Sequence, residues 1–289
     1  MSGIDVNVVA LTEPAVETRF DPALHTLWIA MAIQKNRPQN FSRLLLQSLQ
    51  DLMERVGSSQ GVWGDSASEP PIHYAVLRSS HPEYFSVGGD LGHFLDCIRR
   101  GDSEALRNYS MQCLDMVYRW ATSITRRSTT IALVQGRALG GGFETALSAD
   151  YIIAEQQAEF GLPEILFGLF PCTGAMSLLA RRIGVNAAEK MMRNGRIYSA
   201  DELHEMGIVD QVCPAGAGER ATREFILEHG KRRKARHALQ QAKSRMTSLN
   251  YDELTTVVND WVDAAMRLTD NEMRVLDTLV KMQRSEFAH

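Results

Sequence analysis

The segment Gly136-Arg137-Ala138-Leu139-Gly140-Gly141-Gly142-Phe143-Glu144 sets three successive glycines between a short apolar strand, TIALVQG (130–136), and the start of a helix. Glycine permits positive φ and close approach of the backbone to a ligand. The first turn of a helix carries N–H groups without intrahelical acceptors, at the positive end of the helix dipole. Together these features suit an anion or a polarised carbonyl oxygen. The run lacks the Gly-Lys-Ser/Thr ending of a phosphate-binding loop, and its spacing fails the GxGxxG turn of dinucleotide sites. A purely structural turn is the other reading of the glycines alone. Glu144 bears on that choice. It lies in the first helical turn beside Phe143, Ala146 and Leu147, where a carboxylate serves either as a helix-end stabiliser or as a functional acid. Twenty residues on, GLPEILFGLFP (161–171) places Glu164 after Pro163 and before an apolar run. Two partly buried carboxylates bracketing backbone donors form a candidate acid/base pair. Spacing alone does not bring them together in space.

The elements that must position these groups are legible from periodicity. HTLWIAMA (25–32) and IHYAVLRS (72–79) read as strands, with TIALVQG as a third. FSRLLLQSLQDLMERV (41–56) carries Leu44, Leu45, Leu49, Leu52 and Val56 at helical spacing. The segments at 57–71 and 81–90 read as loops, and helical stretches follow near 91–99 and 103–126. Residues 137–155 run from the glycine turn through a short helix into a strand, and the chain beyond Cys172 is mostly helical. Strands alternating with helices, followed by a helical tail, indicate an α/β core with a C-terminal helical extension. The expected organisation is a loose leader at 1–22, a catalytic core at 23–213 and a helical region at 214–289. Neither an internal repeat nor a low-complexity segment is evident. In the helical tail, Leu254, Val258, Trp261, Val262, Ala265 and Leu268 form an apolar stripe that Leu276, Leu279 and Val280 continue; it reads as core or oligomer packing, or as the wall of an apolar pocket.

Composition narrows the function classes. The 289 residues carry 31 Lys+Arg against 35 Asp+Glu, a net charge of -4, which argues against a general nucleic-acid binder. Residues 231–245 (KRRKARHALQQAKSR) hold seven Lys/Arg and no acid; they read as a solvated helix face or as a patch for an acidic partner. No apolar run approaches the ~18 residues of a membrane span, and the acidic N-terminus does not read as a secretory signal. The cysteines, Cys97, Cys113, Cys172 and Cys213, form no CxxC pair and no metal-ligand spacing, so reduced thiols in a cytoplasmic protein are expected, with no metal and no bound cofactor.

IALVQGRALGGGFETALSADYIIAEQQAEFGLPEILFGLFPCTGA (131–175) resembles the core motif of the crotonase (enoyl-CoA hydratase/isomerase) superfamily, a GxALGGGxE turn with xFGxPE about twenty residues on. HPEYFSVGGDL (81–91) and RIYSADELHEMGIVDQV (196–212) resemble two further segments of that family, and the likeness extends over roughly residues 25–285. Within the family the chain is similar to the diffusible signal factor synthases, which make cis-2-unsaturated fatty acid signals. That likeness rests on Phe85–Leu91 with Phe94, Ile98–Asp102, Gly142-Phe143-Glu144, Leu166–Pro171 and WVDAAM (261–266). Ordinary hydratases usually follow the second glutamate with a glycine-rich turn and Gln-Arg-Leu; here Cys172-Thr173-Gly174-Ala175-Met176-Ser177 stands instead.

The resemblance implies a crotonase-like ββα spiral core with C-terminal helices. It implies that the N–H groups of Gly89 and Gly141 form an oxyanion hole for a thioester carbonyl, each donor being worth about 3–4 kcal/mol of barrier. Glu144 and Glu164 then flank the α and β carbons, one as base and one as acid, with the assignment open. The signal-synthase likeness adds dehydration of a 3-hydroxyacyl thioester, then hydrolysis to a free 2-enoic acid. Trp261 and Leu279 would line the acyl pocket. The carrier is expected to be acyl carrier protein, or coenzyme A, with Arg99, Arg100, Arg126, Arg127 and the 231–245 run as docking candidates. Trimers are common in the family, and a signalling protein restrains some members of the subgroup, although no segment here marks such a surface.

Overall fold

The computed structural model describes residues 14–59, 61–64, 70–124 and 126–286. Its strands are β1 (Val16–Asp21), β2 (Thr26–Met31), β3 (Tyr74–Ser79), β4 (Tyr84–Ser86), β5 (Thr129–Val134), β6 (Arg137–Leu139), β7 (Tyr151–Glu155), β8 (Glu159–Gly161), β9 (Ile197–Ser199) and β10 (Gln211–Cys213). Its α-helices are α1 (Arg43–Ser58), α2 (Leu91–Arg100), α3 (Ser103–Arg119), α4 (Gly141–Leu147), α5 (Ala175–Ile183), α6 (Val185–Asn194), α7 (Ala200–Glu205), α8 (Gly218–Gly230), α9 (Arg233–Met246), α10 (Tyr251–Ala265) and α11 (Asp270–Glu286). A 3-10 helix, Pro163–Phe167, carries Glu164.

A large sheet runs in the order β1-β2-β3-β5-β7-β10 and a small one in the order β4-β6-β8-β9. The large sheet is parallel except for β1 against β2. Its central strands are buried on both faces, and every residue of β5 is buried, which explains why they read as apolar runs rather than as alternation. Three successive lengths of chain repeat one plan: a strand in the large sheet, a short strand in the small sheet, then a helix. These are β3-β4-α2, β5-β6-α4 and β7-β8 with the 3-10 helix. This is the expected ββα spiral. The repeat is topological and has no counterpart in the sequence. It brings the entry to α2, the start of α4 and the 3-10 helix to one side of the small sheet, and these carry Gly89, Gly141 and Glu164.

Some expectations change. Residues 1–13 of the expected leader lie outside the described residues, but Val16–Asp21 is an edge strand paired antiparallel with β2. Its mostly polar side chains are half-buried or exposed, so it lacks the apolar alternation that would reveal it. Strands β4, β6, β8, β9 and β10 are three residues each, too short for a period. In α1 the apolar face holds Leu45, Leu46, Leu49, Leu52, Met53 and Val56, whereas Leu44 points out, 55% exposed.

The C-terminal helices do not stand apart. Leu254 and Val258 of α10 join the central core. Trp261, Val262 and Ala265 of α10 pack with Leu276 and Val280 of α11 in a second cluster, together with Leu95, Cys97, Phe167 and Cys172. That cluster ties α10 and α11 to the elements following Gly89 and Glu164.

Glycine is dictated at 142 by packing. A Cβ there would stand 2.3 Å from the Ser86 carbonyl oxygen, within the backbone of β4. Gly142→Ala therefore prises α4 from β4. It is expected to lower stability by about 1–3 kcal/mol, the usual cost of overpacking, measured by chemical denaturation; an unchanged midpoint would contradict this packing.

Candidate active site

One cavity, of about 370 Å³, is lined by all six residues singled out from the sequence: Gly89, Gly141, Glu144, Glu164, Trp261 and Leu279. The backbone of Gly89 meets that of Gly141: the Gly89 nitrogen lies 3.6 Å from where a Cβ on Gly141 would stand. Gly141 is the first residue of α4, so its N–H has no intrahelical acceptor. The Phe94 ring lies against the Gly89 α-carbon and packs edge-on to Trp261, with ring centroids 5.0 Å apart. The loop bearing Gly89 is anchored from below. The Tyr109 hydroxyl donates to the Phe41 carbonyl at 2.5 Å and accepts from the Asp90 N–H at 2.9 Å. The Phe41 N–H in turn donates to the Gly88 carbonyl. Asp90 caps α2 by accepting from the His93 N–H.

The two carboxyl groups have opposite surroundings. Glu144 is buried, and its Oε1 accepts from the Thr173 N–H at 2.8 Å and the Ala175 N–H at 3.0 Å. Its Oε2 lies 2.5 Å from the Thr173 hydroxyl. Burial pushes this carboxyl above its ordinary value, and the hydrogen bonds from Thr173 and Ala175 pull it back. Glu164 reaches in from the 3-10 helix, and its Oε2 is buried without a hydrogen-bond partner. Burial, and secondarily the nearby Glu144 charge, raise it from 4.5 to about 8. Its Oε1 lies over the glycine turn: a Cβ on Gly140 would stand 2.6 Å from it, and φ at Gly140 is +51°. At neutral pH Glu164 therefore holds a proton while Glu144, with three donors, is the better carboxylate.

The rest of the cavity is mostly apolar, with Ser110, Arg137, Thr145 and Gln283 among its polar lining. Phe94, Phe167, Phe170, Trp261, Val275 and Leu279 contribute to it, so α10 and α11 furnish wall as well as core. Cys172, which sequence reasoning left without an account, also lines it, and burial together with the Glu144 charge pushes its thiol well above its ordinary range. Such a thiol is protonated and no nucleophile. The other three cysteines are buried free thiols. Ser86 donates no chemistry to the site; its hydroxyl accepts from the Gly88 N–H. Among the described residues there is no group of three or more His, Cys, Asp or Glu side chains able to hold a metal ion. No described helix is long and apolar enough to cross a membrane.

The basic run belongs elsewhere. It forms α9, which buries none of its residues and contributes none to the cavity. Gln240 of α9 accepts from the Thr129 hydroxyl at the start of β5, and the glycine turn follows the other end of that strand, roughly 20 Å away at the usual rise. It is thus an exposed face apart from the cavity wall.

The family model described as enoyl-CoA hydratase/isomerase matches residues 61–274. The chain belongs to that family. It is similar to the mevalonyl-coenzyme A hydratase SIDH of Beauveria bassiana, 31% identical over 69% of this chain and 71% of the relative. It is also similar to the 2,3-dehydroadipyl-CoA hydratase of Escherichia coli, 32% identical over 63% of this chain and 66% of the relative. The fold matches a crystal structure of enoyl-CoA hydratase from Bacillus halodurans, with a TM-score of 0.74 at 21% identity, covering 91% of this chain and 99% of that one. The crotonase superfamily fold and an enzyme of the hydratase/isomerase type are thereby established.

Two residues of this family member's site escaped sequence reasoning. Tyr109 sits mid-helix in α3 and reads as an ordinary core aromatic. Thr173 lies in the segment noted as departing from the hydratase pattern, yet only the fold shows it to touch Glu144.

The buried acid has a measurable signature. Between roughly pH 4.5 and 8 the folded state keeps a proton on Glu164 that the unfolded chain has released, so stability falls as pH rises through this window. Glu164→Gln is expected to flatten that decline, measured by chemical denaturation across the pH range. A decline of unchanged steepness in the variant would show that Glu164 is ionised throughout.

Proposed function

We propose that this enzyme interconverts 3-hydroxyacyl and 2-enoyl thioesters at the Glu144–Glu164 pair, and that the same site then hydrolyses the thioester to release a free 2-enoic acid, as a diffusible signal factor synthase does. The observation that carries the reading is the unequal pair: one glutamate with donors on both oxygens and one whose Oε2 is buried without any, in a largely apolar cavity that also holds the facing Gly89 and Gly141 backbone.

The thioester carbonyl is set against the N–H groups of Gly89 and Gly141. Charge developing on that oxygen meets donors that need no reorganisation, each typically worth about 3–4 kcal/mol. In the hydration direction the Glu144 carboxylate takes a proton from water, the oxygen bonds to the β-carbon, and Glu164 delivers its proton to the α-carbon. Dehydration is the reverse and starts from the opposite state of the pair, the proton having moved to Glu144: a Glu164 carboxylate removes the α-proton, and Glu144 gives its proton to the departing hydroxyl. One proton on the pair serves both directions. Hydrolysis reuses the parts. Water activated by Glu144 bonds to the carbonyl carbon, the oxyanion rests on the two N–H groups, the C–S bond breaks, and the proton passes to the leaving thiol. The apolar wall of Phe94, Trp261, Val275 and Leu279 takes the acyl chain and keeps bulk water from the pair.

The carrier in this reading is acyl carrier protein or coenzyme A, and the working form is a homotrimer or larger, in a cytoplasmic setting. Restraint by a signalling protein belongs to the same reading and has no surface assigned to it.

Incubation with 3-hydroxydodecanoyl acyl carrier protein, followed by mass spectrometry of thioester and free acid, tests the proposal. The expected product is free 2-enoic acid, with Glu144→Gln and Glu164→Gln each reducing its formation by about 10²–10⁴-fold, the range of general acid–base catalysis. Enoyl thioester without free acid would remove the hydrolytic step and leave a hydratase. Undiminished turnover in both variants would overturn the glutamate assignment.

A further inference from the structure

Thr173 grips both oxygens of the Glu144 carboxyl. Its N–H donates to Oε1 at 2.8 Å, and its hydroxyl lies 2.5 Å from Oε2. The Ala175 N–H adds a second donor to Oε1. The two N–H donors follow from the path of the chain and tolerate a change of side chain at 173. The hydroxyl does not, and among the described residues no other donor to Oε2 is found. Thr173 is itself buried and lines the cavity.

We infer that Thr173 is a positioning residue whose hydroxyl holds Glu144 as the ionised member of the pair, leaving the shared proton on Glu164. The inference rests on the acid/base reading above and deepens it.

Donors and acceptors decide which oxygen of Glu144 can carry a proton. A backbone N–H only donates, so Oε1, with two of them, is committed as an acceptor. A proton on Glu144 would have to sit on Oε2, and the Thr173 hydroxyl would then turn to accept it, exchanging a charge-assisted bond for a weaker neutral one. A hydrogen bond to the charged form of a carboxyl favours that form, and charge-assisted bonds are the strong ones. Glu164 receives no matching support at its Oε2. Of two close carboxyls that share one proton, the member with more hydrogen bonds to its charged form is the one left ionised. That member is Glu144, and a single side-chain hydroxyl distinguishes it.

The test is the pH profile of kcat/KM for hydration of a 2-enoyl thioester, in wild type, Thr173→Val and Thr173→Ser. Valine keeps the shape and the N–H but removes the hydroxyl. It is expected to move the acidic limb up by about 1–2 pH units, the equivalent of one hydrogen bond to a charged group, with little change in KM. Serine is expected to return the limb to its wild-type position. Thr173→Ala serves as the second hydroxyl-free variant if valine does not fold. A uniform loss of rate with the limb unmoved would mean that Thr173 only packs, and would overturn the inference. An enzyme whose wild type hydrates no enoyl thioester would defeat the functional reading instead. The inference is then decided by a carbon-13 carboxyl titration of Glu144: a raised titration point in Thr173→Val but not Thr173→Ser upholds it, and coincident curves overturn it.

Discussion

Burying two carboxyl groups in one apolar cavity is possible only if they do not both carry charge. Ionised carboxylates removed from water are costly unless hydrogen-bonded, and two of them close together repel. The chain meets this constraint asymmetrically. Glu144 receives the N–H groups of Thr173 and Ala175 and the Thr173 hydroxyl, whereas the Glu164 Oε2 receives nothing. The cavity therefore stores one proton at neutral pH. The aromatic wall is part of the same device, because an open cavity would let water supply Glu164 with the donors it lacks.

The fold delivers these groups by repetition. Each turn of the ββα spiral ends in a helix whose start faces the cavity, and the three turns contribute the Gly89 backbone, the α4 start with Glu144, and the 3-10 helix with Glu164. Backbone donors are precise only if their loops are fixed. Tyr109 fixes the first by bridging Phe41 and Asp90 through one hydroxyl. Gly142 fixes the second by letting α4 close onto β4. The C-terminal helices complete the wall, since Trp261 lies against Phe94 and Phe94 against Gly89.

Much of this was legible in the sequence because it is local. The glycine run, the carboxylate one turn later and the Pro163-Glu164 step are each contained within a few residues. The long buried strands announce themselves as apolar runs, and the α10 stripe as a helical period. What was illegible is what depends on distance or brevity. Three-residue strands have no period, and β1 is an edge strand with polar, exposed side chains. Leu44 and Leu46 are equally apolar, and only the packing of α1 decides which one turns inward. The Thr173–Glu144 contact joins residues 29 apart, and Tyr109 reaches Phe41 across 68. The two glutamates follow the same rule: identical side chains receive different donors, which only the fold supplies.

The central claim is that the pair holds one proton at neutral pH and that it sits on Glu164. Isotope-edited infrared spectroscopy of the glutamate carboxyls at pH 7 tests this most directly. The account requires a protonated-carboxyl signal that vanishes in Glu164→Gln and persists in Glu144→Gln. A signal that vanishes in Glu144→Gln instead, or two ionised carboxylates with no such signal, would contradict it.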